Sequence, residues 1–302
     1  MNYQTLGRRD ARKALVAAVL NQDRSLVSQI LAERPDIVDA RNSHGHTALS
    51  EAVTVGNLAL VRQLVEAGAD PKQYNHGGSS LIDAAAWVGN STIAEFLREK
   101  GCVVTPYHEA ALGYYEAIKQ RVDQDTSFVN SPTARGTTML HHAAHGNHLR
   151  VCEVLFSSGA IVDAFDFHGH TPLCHAVERN SVDCARFLIQ KGANVDQSAG
   201  YFGGTVLHRA IMLGFVDMSL LLLESGSDPN AQDFSGKSAL HTSVSSGKAD
   251  IVHAVLQTHV DTNLRTKKTK LQKGNETALE YARRLKKKRI VSLIEQHLAT
   301  AS

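Results

Sequence analysis

The feature that most limits the folds open to this chain is an internal repeat of about 33 residues. Segments of one pattern recur: GHTALSEA (45–52), GSSLIDAA (78–85), GTTMLHHA (136–143), GHTPLCHA (169–176), GGTVLHRA (203–210) and GKSALHTS (236–243). Each carries a Thr or Ser anchor, namely Thr47, Ser80, Thr138, Thr171, Thr205 and Ser238. Weaker copies stand at Thr105 (TPYHEA) and Thr277 (TALEYA), and Lys13, ahead of ALVAAV, opens the series. Successive spacings are 34, 33, 25, 33, 33, 34, 33 and 39 residues. Twenty-one residues after six anchors comes a second landmark: Gly68, Gly101, Gly159, Gly192 and Gly226, with His259 where glycine is missing. Such a register describes many small units side by side rather than one self-contained core.

Within a unit the residues spell two short helices. The anchor hydroxyl can accept from a first-turn amide that has no helical partner. Pro106 and Pro172 follow their anchors at the first helical position, where a missing N–H costs nothing. Leu140, Ala143 and Ala144 share one face of the first helix, and Val151, Val154 and Leu155 share one face of the second. The landmark glycine supplies the left-handed residue that ends the second helix. Two helices this short cannot bury those faces alone, so stability must come from stacking on neighbours.

These motifs resemble the ankyrin repeat, D-x-x-G-x-T-P-L-H-x-A-A, then Gly-His, an apolar helix and L-L-x-x-G-A-D-x-N. The resemblance covers nearly the whole chain. It implies an all-α ankyrin-repeat solenoid of helix-turn-helix pairs with β-hairpin fingers, about nine units including degenerate caps. On that reading residues 1–302 form a single array. An N-terminal cap unit spans 1–39, units two and three span 40–104, and units five to eight span 136–263. A basic loop follows at 264–276, and a C-terminal cap unit closes the array at 277–302. Between them, 105–135 is a degenerate unit with a missing hairpin, because only 25 residues separate Ser80 from Thr105. A break in the row of fingers is expected there.

The stretch Thr137–Cys152, TTMLHHAAHGNHLRVC, looks at first like a metal site, with His141 and His145 at i, i+4. The repeat answers otherwise. His141 takes the histidine of T-P-L-H, as do His108, His208 and His241, and the family packs that residue between units against backbone and the capping threonine. His148 takes the histidine of Gly-His, and His145 falls where the family places solvent-facing groove residues. No metal and no cofactor are expected.

Charge is unevenly spread. The net charge is +2, yet residues 264–289 alone carry eleven Lys and Arg against two Glu. The remaining array is acidic, which argues against duplex nucleic acid as a partner. No run approaches the ~18 apolar residues of a membrane span. Cys102, Cys152, Cys174 and Cys184 form no C-x-x-C and sit in apolar stretches, as reduced thiols of a cytoplasmic or nuclear protein would. Gly-rich phosphate loops, H-E-x-x-H and G-x-S-x-G are absent, so no enzyme is expected.

In the family, specificity lies on the concave face and the finger tips. Carried over by position, the candidate partner-binding residues are Tyr74, His76, Trp87, His145, Phe165, Phe167, His168, Glu178, Arg179, Tyr201, Phe202, Met212 and Phe234, with Leu213 beside Met212. Aromatic residues on exposed loops lower solubility unless something covers them, and they dominate interface hot spots. The expectation is a monomeric, non-catalytic scaffold or adaptor that binds another protein through an aromatic-rich groove. A nucleotide-like ligand stacked on Trp87 and groove aromatics is the alternative. A basic patch of Lys267, Lys268, Lys270, Arg283, Arg284, Lys286, Lys287, Lys288 and Arg289 is a second candidate, as a nuclear-import signal or a contact for acidic surfaces.

Overall fold

The computed structural model describes residues 3–198, 203–268 and 274–301. Among them run eighteen α-helices in consecutive pairs. The first four pairs are α1 (Arg8–Leu20) and α2 (Arg24–Glu33), α3 (Ala48–Val55) and α4 (Leu58–Glu66), α5 (Leu81–Trp87) and α6 (Ser91–Glu99), and α7 (Pro106–Leu112) and α8 (Tyr115–Gln124). Next come α9 (Met139–His145) and α10 (Leu149–Ser157), α11 (Pro172–Glu178) and α12 (Val182–Gln190), and α13 (Val206–Leu213) and α14 (Val216–Glu224). The last are α15 (Ala239–Ser246) and α16 (Ala249–Leu256), then α17 (Ala278–Arg284) and α18 (Lys288–Ala301). The chain divides into two compact units, residues 1–112 and 113–302.

Most of these helices are seven to nine residues long, too short to persist alone in water. Their starts are fixed chemically. Thr47, Ser80 and Thr277 close capping boxes, each hydroxyl accepting from the amide three residues on while that residue's side chain accepts from the cap amide. Second helices in the first unit are capped by Asp23, Asn57 and Asn90. The series opens earlier than its first anchor, since α1 begins at Arg8 and Lys13 lies inside it.

In the unit 1–112, α3 packs on α1, α4 and α5, and α5 on α6 and α7. Leu15, Ile30, Leu49, Leu60, Ile82 and Ile93 are fully buried along that seam. In the unit 113–302, α9, α11, α13, α15 and α17 stack in one row while α8, α10, α12, α14, α16 and α18 stack in a second. Met139, Leu140, Leu155, Leu188, Leu207 and Ile251 fill the space between rows. Each such side chain contributes roughly 1.5–3 kcal/mol by leaving water.

The fingers between pairs are tight turns, closed in two places by single bridges, Tyr74 with Ser80 and Ser198 with Thr205. Fourteen residues, 67–80, connect α4 to α5, whereas six, 100–105, connect α6 to α7. That short link has no room for a finger. The histidine that follows it turns back on the preceding pair, with His108 Nε2 2.9 Å from Asp83 Oδ1 of α5. At the other end, the lysine-rich loop is closed at its base: Thr266 N donates to Glu276 O and Asn275 N to Thr266 O.

Candidate functional site

Four of the described fingers grow from an Asn or Asp five residues before a helix cap. The Oδ1 atoms of Asn42, Asn75, Asp166 and Asp233 each accept from the amides two and four residues ahead, at 2.8–3.0 Å. Such side-chain turns preset the loop without a long strand pair. Neighbouring fingers then join through one amide each: His76 N to His44 O (3.2 Å), Phe167 N to Arg135 O (3.0 Å) and Lys267 N to Ser235 O (2.7 Å). Beneath each joining residue lies a glycine of the preceding finger. A Cβ on Gly136, whose φ is +80°, would stand 2.8 Å from the Phe167 nitrogen and closer still to its ring. Gly203 stands in the same relation to the Phe234 ring.

Phe167 is anchored by its own amide and Phe234 stands within the turn that Asp233 closes, while the aromatic rings face water. Phe167 is 74% exposed, Phe234 73% and Phe165 57%. Tyr74, His76 and Trp87 are exposed in the unit 1–112. His168, Arg179, Met212 and Leu213 are exposed in the unit 113–302. Glu178 is exposed and fully engaged, accepting from Arg209 Nε (2.8 Å) and Nη2 (3.0 Å). Tyr201 and Phe202 lie outside the described residues, as does Lys270.

His145 corrects the sequence reading. Expected in the solvent-facing groove, it is only 7% exposed. Helix α11 packs closely on α9, and its His175 meets the His145 ring at 6.2 Å between centroids. Ser181 Oγ donates to the His145 carbonyl (3.1 Å). The position faces the next pair, so it is interior.

His141, His208 and His241 pack as the resemblance implies, whereas His108 reaches the Asp83 carboxylate instead of a backbone carbonyl. The Thr138 amide donates to His141 Nδ1 (3.0 Å), which leaves Nε2 to donate to the His170 carbonyl (3.1 Å) one finger on. Burial, reinforced by His175, holds the His141 imidazole down at a pKa of about 4, so it is neutral at physiological pH. His208 and His241 repeat the motif, reaching the carbonyls of Lys237 and Glu276 at 3.0 Å each. His142 also has an internal partner, Thr137 Oγ1 at 3.0 Å from its Nε2.

Beside His141 the structure assembles a group that the sequence did not reveal. Asp166 Oδ2 accepts from His175 Nε2 (3.1 Å) and lies 3.8 Å from His170 Nδ1. One ligand atom from each of the three lies within 4.8 Å of the others. Burial alone would raise the Asp166 pKa, but bonds from His175 and from the His170 and His168 amides outweigh it and hold the carboxyl well below its usual range. Burial, with His175 adding to it, depresses His170 despite the nearby carboxylate.

Two charged regions complete the surface. In the basic patch, Arg283 pairs with Glu295 (2.6 Å) and Arg284 with Glu276 (2.7 Å), while Lys267, Lys268, Lys286, Lys287, Lys288 and Arg289 are exposed. Near the N-terminus a cavity of about 730 Å³ is lined by Arg8, Arg9, Arg12, Asp39 and Arg41. Two guanidiniums there donate to backbone, Arg12 to the Arg41 carbonyl and Arg41 to the Tyr74 carbonyl. No helix among the described residues is long and apolar enough to cross a membrane.

The family model for ankyrin repeats in three copies matches residues 15–108, 107–199, 162–233 and 207–299. The chain is an ankyrin repeat protein. Ankyrin repeats are in general protein–protein interaction modules and typically non-catalytic. Among its relatives, ankyrin repeat and SAM domain-containing protein 6 of Rattus norvegicus is 33% identical over 106 residues, 34% of this chain and 12% of that protein. The inactive serine/threonine-protein kinase TEX14 of Bos taurus is 35% identical over 94 residues, 31% of this chain and 6% of that protein. The ankyrin chain thus spans a small part of these curated relatives' length. A solved structure described as the Bd0816 predatory endopeptidase from Bdellovibrio bacteriovorus in complex with immunity protein Bd3460 shares the fold. Its matching chain aligns with a TM-score of 0.57 at 24% identity, covering 64% of this chain and 98% of that one.

Proposed function

We propose that this ankyrin array is a non-catalytic scaffold or adaptor that seats an extended or helical segment of a partner protein against the fingers of residues 136–263. One observation carries the reading: Phe165, Phe167 and Phe234 stand on turns whose backbone is already fixed, with their rings turned to water. A preformed aromatic row loses little ordering entropy when a partner covers it. Buried aromatics of this type are the usual hot spots of interfaces, each contributing on the order of 1–4 kcal/mol. Met212 and Leu213, exposed at the end of α13, extend the apolar surface, and Arg179 supplies a cation at its edge. Affinity capture with the wild type beside a Phe165→Ser, Phe167→Ser, Phe234→Ser variant tests it. Partners held by the wild type are expected to be lost from the variant at unchanged thermal midpoint. A partner set that survives all three substitutions refutes the assignment.

A ligand-binding reading rests on Trp87, 60% exposed at the end of α5, with Tyr74 exposed in the same unit. Quenching of the single tryptophan by nucleotides and not by peptides would favour it. The lysines of α17–α18 support a second, electrostatic contact for acidic surfaces or import factors in the cytoplasm or nucleus. Nearby carboxylates already pair with Arg283 and Arg284, which weakens that contact.

A further inference from the structure

We infer that Asp166, His170 and His175 form a zinc site that rivets the finger of residues 166–170 to helix α11. Two imidazoles and one carboxylate are a ligand set that borderline divalent cations favour, and zinc above all when positions remain for water. The three residues come from a loop and a helix, at positions i, i+4 and i+9, and their ligand atoms already lie within 4.8 Å of one another. Tetrahedral zinc with bonds near 2.0–2.2 Å needs ligand atoms about 3.3 Å apart. The Asp166–His175 pair, at 3.1 Å, is there already, and the 3.8 Å to His170 closes with a small side-chain rotation.

The surroundings hold the ligands in place. Asp166 Oδ1 is occupied by the amides of His168 and His170, which leaves Oδ2 aimed between the two rings. The His170 carbonyl accepts from both the Asp166 amide (2.9 Å) and His141 Nε2 (3.1 Å), so its backbone is fixed from two sides. The His175 ring meets His141 edge-on at 5.0 Å between centroids. Outer contacts of this kind are what orient ligands in metal sites. The Asp166 side chain is only 4% exposed, while His170 and His175 keep 21% and 19%, enough for a water to complete the shell.

The preceding finger shows that the backbone, not Asp–His attraction, brings these positions together. There the same i, i+4, i+9 places are Thr133, Thr137 and His142, linked as Thr133 Oγ1 to Thr137 Oγ1 (2.7 Å) and Thr137 Oγ1 to His142 Nε2 (3.0 Å). One finger carries the triangle with hydroxyls, and the next fills it with an acid and a second imidazole.

The full chain, stripped with EDTA and dialysed, is titrated with zinc chloride by calorimetry and followed by thermal melting. One saturable site per chain and a raised thermal midpoint are expected. His170→Ala and His175→Ala should each weaken zinc at least tenfold, while His142→Ala leaves it unchanged. His170→Gln, on the more exposed ring, serves if His175→Ala disturbs folding by circular dichroism. Cobalt(II) substituted for zinc should give the visible spectrum of a low-coordinate site, lost in the same variants. A wild type without saturable binding, or binding that survives His170→Ala and His170→Gln, would overturn the assignment.

Discussion

His208→Ala is the sharpest probe of what holds one unit to the next. The imidazole is 3% exposed, accepts from the Thr205 amide (3.2 Å) and reaches the Lys237 carbonyl (3.0 Å) of the following finger. Two neutral hydrogen bonds are worth about 1 kcal/mol each. The Lys237 carbonyl retains the Asp233 amide as donor, so its loss is partial, but the Thr205 amide loses its side-chain acceptor. That buried, unmet donor adds roughly 1–2 kcal/mol, and the void left by the ring adds a similar amount, for a total of about 4–6 kcal/mol. The pH dependence gives a second handle. Burial depresses the His208 pKa below its ordinary 6.5, so the folded state requires the neutral ring. The stabilisation is therefore full above pH 6.5 and is lost as acid carries the pH down through the depressed folded value. Urea unfolding followed by circular dichroism at pH 7.5 and pH 5.5 is the assay. The gap between wild type and variant should be widest at the higher pH and narrow at the lower. A gap below ~1 kcal/mol, or one equal at both pH values, would refute the reasoning.

Other substitutions separate the forces further. Gly136→Ala should lower stability by about 2–3 kcal/mol in thermal melts, because left-handed strain adds to the Phe167 clash. Gly159→Ala has a similar φ of +91° and nothing within 4 Å, so it should lose only about 1–2 kcal/mol; equal losses would remove the clash argument. Cys152 and Cys184 sulfurs sit 3.5 Å apart in the core, and the Cys184 contact and burial push the Cys152 thiol well up. Alkylation followed by mass spectrometry should label Cys102, which is partly exposed, and spare both until urea is added.

The fold was legible because one pattern is written many times over. Thr47, Ser80 and Thr138 each announce a helix, and their common spacing to Gly68, Gly101 and Gly159 announces the pair. The short interval before Thr105 likewise shows as a link too brief for a finger. The site was less legible. Phe167 and Phe234 could be placed on loops from the register, but their seating over Gly136 and Gly203 joins residues about thirty apart. His145 was misplaced because periodicity gives a helix face without saying how far the next pair overlaps it. The Asp166, His170 and His175 group was invisible for a related reason: its members span a turn and a helix, and no single period relates them. The N-terminal arginines carry no sequence signal either, since Arg12 and Arg41 meet only after folding.

The finger ladder has a direction. His76 leans on Gly45, Phe167 on Gly136 and Phe234 on Gly203, always a later residue resting on an earlier one. Damage to one rung should therefore loosen its C-terminal successor and spare the rung before it, as a shingled roof sheds from the course above a missing tile. Loop flexibility imposed at residue 136 would be felt at Phe167, among the rings offered to a partner, well away from the altered backbone.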